Sequence, residues 1–206
     1  MKRVSTILAF AFLVVFLSSC LYTIHPIFTE KDIVFKPELL GRWEMKKGKD
    51  ILQITSLAKE TGIDLPGKIS AIKDKGYLIS NPDEDGKFIG FLARIGKHLY
   101  FDFYPIESEV NEKADEFFMQ HFVKRHISYR VDIGEDSFGL SQMDGDFLEN
   151  LITQKKIRIR HEIDDGGGII ITAPTEEIQK YIVKYGDDPG AYQSEKTIYQ
   201  RVNVNL

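Results

Sequence analysis

Apolar and polar residues alternate one by one through the most readable stretches of this chain. From Lys97 to Tyr104, Leu99, Phe101 and Phe103 alternate with His98, Tyr100, Asp102 and Tyr104. From Val123 to Ile133, Ile127, Tyr129, Val131 and Ile133 face away from Lys124, His126, Ser128, Arg130 and Asp132. Ile157, Ile159 and Ile163 alternate with Arg158, Arg160 and Glu162. Near Thr197–Val204, Ile198, Val202 and Val204 oppose Tyr199, Arg201 and Asn203. Successive side chains of a strand point to opposite faces. A period of two therefore predicts half-buried strands of antiparallel sheets, one face inward and one wet.

The residues between these stretches are turn formers. Gly96-Lys97 suits a two-residue hairpin turn, with glycine supplying the positive φ. Asp83-Glu84-Asp85-Gly86, Gly134-Glu135-Asp136 and Asp164-Asp165-Gly166-Gly167-Gly168 read as further hairpin loops. About eight or nine strands result, a number that closes into a barrel or folds into a sandwich.

Helical patterns are few. Asp144 reads as the N-cap of a helix over about 146–153, where Phe147, Leu148 and Leu151 form an apolar stripe. Pro174, with Glu176 and Glu177 beside the positive helix end, opens a second that stops at Gly186. A third covers about Asn111–Met119; residues 58–74 stay ambiguous, with Thr61–Gly67 reading as a loop or insertion. The expected fold class is mainly β, α+β in detail: an antiparallel barrel-like sheet with two or three added helices.

The first twenty residues follow a different pattern. Lys2 and Arg3 precede an unbroken apolar run of eleven residues, Ile7 to Leu17. A bilayer-spanning helix needs roughly twenty, so the run reads as the core of a signal peptide. The expected organisation is a leader over 1–19, a lipidated N-terminus and tether over 20–36, and one β-rich domain over 37–206. Without the leader 187 residues remain, enough for a real core, and the net charge moves from −4 to −6 with the loss of Lys2 and Arg3. A mildly acidic chain with scattered charge is a poor partner for nucleic acid or for an anionic membrane surface. The chain holds one cysteine, Cys20, which excludes an internal disulfide.

Leu17-Ser18-Ser19-Cys20 resembles the lipobox of bacterial lipoproteins: a branched aliphatic, two small residues, then cysteine. The resemblance implies cleavage at Ser19–Cys20 and acylation of Cys20, and two or more acyl chains hold a protein stably at a membrane where one is marginal. Leu21 stands where an aspartate would imply inner-membrane retention, and no acidic cluster follows. The likeness thus leans toward the outer membrane, facing the periplasm.

Leu39-Leu40-Gly41-Arg42-Trp43 opens the first predicted strand, and its Gly-x-Trp resembles the start of lipocalins and wider calycins. In that pattern the tryptophan closes the base of the barrel and an arginine of the last strand covers it. The likeness implies a Trp43–Arg201 contact. The helices around 144–153 and 174–185 depart from a plain lipocalin, which is strands followed by one late helix. The chain also resembles, over nearly its full length, a group of bacterial envelope lipoproteins with no established activity. The likeness runs through Phe35–Trp43, Phe101-Asp102-Phe103-Tyr104-Pro105 and Ile171–Glu177.

No catalytic constellation stands out. The five histidines, His25, His98, His121, His126 and His161, have no metal-ligand spacing. Asp83–Gly86 begins like a calcium loop but lacks its later ligands. Gly139-Leu140-Ser141-Gln142-Met143 fails as a nucleophile elbow. No cofactor or metal is expected. His161 shares its parity with Ile157, Ile159 and Ile163, so it is either a core histidine bonded to backbone or a polar contact in a ligand cavity. Tyr100 and Tyr104 share a face with His98 and Asp102. That face is a ligand surface if it lines a cavity, and is otherwise an exposed sheet face.

Two readings of function follow. One is a lipid-anchored, non-enzymatic envelope module that binds a small apolar ligand inside a hollow barrel, or a protein partner if the interior is packed. Bulky Phe, Ile and Leu on the inward faces lean toward packing. The other is an envelope hydrolase, which would need His161 or His98 to meet carboxylates in a wet cleft.

Overall fold

A computed structural model of the chain describes residues 21–61, 63, 65–83, 86–106 and 121–202. The lipobox with Cys20 and the third predicted helix, Asn111–Met119, lie outside them. Eleven strands are described: β1 (Tyr22–Thr23), β2 (Gly41–Met45), β3 (Ile51–Ser56), β4 (Tyr77–Ser80), β5 (Lys87–Ile95), β6 (His98–Pro105), β7 (His126–Ile133), β8 (Ser137–Gln142), β9 (His161–Ile163), β10 (Ile169–Ile171) and β11 (Thr197–Arg201). Three α-helices join them, α1 (Gly67–Ser70), α2 (Gly145–Thr153) and α3 (Thr175–Tyr185).

Eight strands, β2 through β8 and β11, pair antiparallel with their chain neighbours, and β11 returns to β2. Pairing of β6 with β7 completes the closure. The result is a closed up-and-down barrel of lipocalin-like type. Closure leaves these strands no free edge. Gly96 takes φ +59° in the β5–β6 turn, and Lys97 does not share a positive φ. In the β9–β10 turn, Asp164 Oδ1 accepts from the amides of Gly166 (3.0 Å) and Gly168 (2.8 Å), and Gly167 takes φ +83°.

The interior is filled by the chain's own side chains. Trp43, Ile54, Tyr77, Ile79, Leu92, Phe101, Val131, Phe138 and Tyr199 form one buried cluster. Ring contacts link it: Trp43–Phe138 at 4.8 Å, Tyr77–Phe101 at 5.3 Å, Phe101–Phe103 at 4.8 Å and Phe103–Tyr129 at 5.4 Å between centroids. Such edge and tilted contacts are the favourable arrangement for aromatic quadrupoles. Gly90 is small because a Cβ there would come within 2.7 Å of Phe101.

A second core lies on the outside of the barrel. The outward residues Phe91, Ala93 and Ile95 of β5 and Tyr100 of β6 are covered by Leu148 and Leu151 of α2 and by Ile178, Tyr181 and Ile182 of α3. Both helices sit in the insertion between β8 and β11, so the barrel's helical elaboration precedes its last strand. Asp144 Oδ1 accepts from Phe147 N at 2.8 Å and caps α2 as its sequence predicts. Gly186 ends α3, where a Cβ would meet Tyr100 Oη at 2.8 Å.

Three expectations are corrected. Residues 21–36 are not a free tether. Leu21 is 3 % exposed and Ile27 fully buried, β1 pairs with β7 and, in parallel, with β10, and Val34 N donates to Leu92 O at 2.8 Å. Apolar Leu21, Ile27 and Phe28 drive the segment onto the outer core, where Phe28 meets Phe91 at 5.1 Å. In β11 the inward residue is Tyr199 rather than Ile198. Tyr199 stacks on Phe138 at 5.1 Å and buries more surface than an aliphatic side chain would. Residues 157–160 form no strand, and Ile163 is 56 % exposed at the sheet's end.

Candidate functional site

The face of β6 that carries His98, Tyr100, Asp102 and Tyr104 is covered rather than exposed, because the N-terminal segment and α3 lie on it. Asp102, 1 % exposed, gathers three donors. His126 Nδ1 donates to Oδ1 at 2.5 Å, Ser128 Oγ donates to Oδ2 at 3.0 Å, and the Ile27 amide donates to Oδ2 at 3.2 Å. The carboxylate sits in the middle, so His126 does not face Ser128 as a base would. The trio satisfies a buried charge and fastens Ile27 to the barrel. Tyr104, half-buried, lies 4.7 Å from the His126 ring.

Tyr100 belongs to a second buried group. Tyr192 Oη donates to Gly186 O at 3.2 Å, so Tyr100 Oη is the donor in the 2.8 Å Tyr100–Tyr192 bond. Burial pushes the Tyr100 hydroxyl far above the ordinary phenol range, and its bond to Tyr192 adds to the shift. Arg130 lies 4.1 Å over the Tyr192 ring and donates from Nη1 to Gly186 O at 3.2 Å. Tyr181 Oη and Arg130 Nε are buried with no hydrogen-bond partner among the described residues. This cluster glues the end of α3 to the barrel and leaves no room for a ligand between Tyr100 and Tyr192.

At the barrel's base the geometry joins Trp43 and Arg201. They are directly opposed across β2 and β11, with the guanidinium 4.2 Å from the indole centroid. Trp43 Nε1 donates to Leu39 O at 2.9 Å, and Arg201 donates to the carbonyls of Leu40 and Glu38. Gly41 takes φ +135°, and a Cβ there would come within 3.0 Å of Arg201 Nη1. The Gly-x-Trp spacing is therefore a packing requirement of this end.

His161 lies elsewhere, in an open groove of about 610 Å³ on the outer surface. The end of α2 contributes Ile152, the turn after it Lys155, the irregular run before β9 contributes Ile157, Arg158, Ile159 and Arg160, and the first turn of α3 contributes Glu177. His161 Nδ1 donates to Ile159 O at 2.8 Å, which fixes the proton on that nitrogen. Arg160 is 3.5 Å from Glu177. Among the described residues Lys155 and Arg158 have no acidic partner. The groove thus has an apolar floor, a cationic rim and a single carboxylate. The hydrolase reading asks for His161 or His98 to meet carboxylates. Among the described residues only Glu177 is near His161. His98 Nε2 lies 2.7 Å from Asp187 Oδ1 in a small groove of about 220 Å³. Lys97 is 2.8 Å from the same carboxylate, and no second one lines that groove among the described residues.

The structure keeps His161 apart from Tyr100 and Tyr104, which share no cavity with it. The sequence reading missed Lys155, Arg158 and Arg160 as a group; five cationic or titratable side chains within Lys155–His161 were the available signal. Among the described residues no cluster of three or more His, Cys, Asp or Glu could hold a metal, and no helix is long and apolar enough to cross a membrane. The architecture is a filled lipocalin-like barrel with an outer layer of helices. No protein-family model, curated protein or solved structure matches the chain.

Proposed function

We propose that this chain is a lipid-anchored protein of the bacterial envelope, outer membrane facing the periplasm, that works as a non-enzymatic binding module through its outer surface. The single observation that carries the reading is the location of free space. The barrel's own aromatic side chains fill the interior, while the outer surface keeps a groove of about 610 Å³ with an apolar floor. Pockets of a few hundred Å³ with a few convergent polar groups are the usual form of a ligand site. The Leu17-Ser18-Ser19-Cys20 motif supports the anchor. Native mass spectrometry of the full chain, extracted from its own envelope in mild detergent, tests the reading. An acylated chain carrying a stoichiometric ligand or partner is expected. An unacylated chain that carries neither would sink it.

A further inference from the structure

We propose that the groove between α2, β9 and α3 takes the anionic headgroup of a phospholipid together with the first methylenes of its chains. The inference rests on the binding-module reading and names the ligand of that site. Lys155, Arg158 and Arg160 line the rim beside His161, and only Glu177 opposes them, already engaged with Arg160 at 3.5 Å. Ile152, Ile157 and Ile159 form the floor. Ile159 is buried in the outer core and Ile152 and Ile157 pack against it, so a free inorganic anion would use the cations but leave the exposed parts of Ile152 and Ile157 uncovered. An uncharged apolar ligand would use the floor but leave Lys155 and Arg158 uncompensated. An amphiphile with a negative head satisfies both.

The groove is open rather than enclosed, and about 610 Å³ holds a headgroup and its nearest methylenes, not an entire diacyl lipid. That suits a lipid whose chains remain in a bilayer. The place of the groove in the fold agrees. Thr23 of β1 lies beside Ile171, and Ile171 beside His161, so the groove begins two strand spacings, roughly 10 Å, from the segment that follows Cys20. Leu21 is itself buried, so a lipid anchor one residue before it would keep this side of the barrel close to the lipid surface. The chain's net negative charge argues against general attraction to an anionic membrane. The cluster is local and recruits one headgroup, each cation adding about fivefold to binding at such a surface.

The test uses the full chain in a nonionic detergent, with its isoleucine methyls labelled for NMR. Three soluble probes are titrated: dihexanoyl-phosphatidylglycerol, dihexanoyl-phosphatidylcholine with the same chains and no net charge, and glycerol 3-phosphate with the head alone. The phosphatidylglycerol should bind saturably, at least tenfold tighter than either other probe, and shift the methyls of Ile152, Ile157 and Ile159. Lys155→Gln with Arg158→Gln, both exposed and free of contacts that hold the fold, should weaken it about 25-fold. Equal binding of phosphatidylcholine, equal binding of glycerol phosphate, or an unaffected double variant would each overturn the assignment. An acylated chain that carries some other stoichiometric partner but ignores the headgroup refutes this inference alone. Absence of both acyl chain and partner refutes the function proposed above instead.

Discussion

Arg201 sits directly across from Trp43 on the neighbouring strand, its guanidinium 4.2 Å from the indole centroid and its Nη1 donating to Leu40 O at 3.1 Å. One side chain thereby covers the tryptophan and ties down the chain segment that enters β2. A partly buried cation–π contact is worth about 1 kcal/mol and a charged hydrogen bond about 1.5 kcal/mol. Arg201→Ala should therefore lower unfolding stability by about 2–3 kcal/mol in chemical denaturation. Gly41→Ala should also destabilise, because it forces a side chain onto φ +135° against Arg201.

Asp102 and His126 form a buried pair that also receives the Ile27 amide. Removing one member of such a pair strands the other, at a cost of about 3–5 kcal/mol. Asp102→Ala should cost that much. Hydrogen exchange should show the amides of Ile27 and Val34 losing protection before those of the barrel strands, because the N-terminal segment comes loose first.

Two neighbouring tyrosines should respond in opposite directions. Tyr181 Oη is buried without a partner among the described residues, and burial pushes its ionisation well above the ordinary phenol range. Tyr181→Phe removes an unsatisfied hydroxyl and should raise stability by about 1 kcal/mol. Tyr100→Phe instead removes the donor to Tyr192 and should lower it by about 1 kcal/mol. Thermal unfolding of the two variants side by side checks both signs.

Asp32 links α3 to the N-terminal segment. Burial alone would raise its pKa, but hydrogen bonds from Thr29 N (2.8 Å), Thr29 Oγ1 (2.6 Å) and Gln179 Nε2 (2.9 Å) outweigh it and hold the carboxyl below its ordinary value. A group lowered by folding stabilises the native state above its unfolded pKa, about 3.9, and that contribution is lost as pH falls through the folded value. Urea midpoints measured from pH 6 down to pH 3 should fall for the wild type. The fall should be smaller for Asp32→Asn and for Gln179→Ala.

The barrel was legible because its strands repeat one local rule. The parity of β6 and β7 places Phe101, Phe103, Tyr129 and Val131 inward, and the cap Asp144 and the stop Gly186 mark their helices. The rule failed where two faces were both buried. Asp102 and Tyr100 read as wet because polarity was taken for exposure; the folding-back of residues 21–36 covers Asp102, and the helices between β8 and β11, with Tyr192, cover Tyr100. It failed at β11 because tyrosine counts as either class, and the register with Phe138 decides it. The groove was not legible at all. It needs Ile152 from α2, Lys155 from the turn after it, Arg158 before β9 and Glu177 from α3, which no single period connects.

The place of the protein in the envelope turns on the state of Cys20. The direct measurement is the intact mass of the protein recovered from envelope membranes, with tandem fragmentation of its N-terminal peptide. The account predicts a chain that begins at Cys20 and carries acyl chains there, and a Cys20→Ala variant that leaves the membrane fraction. A free thiol at Cys20, or a variant that stays membrane-bound without acylation, would contradict it.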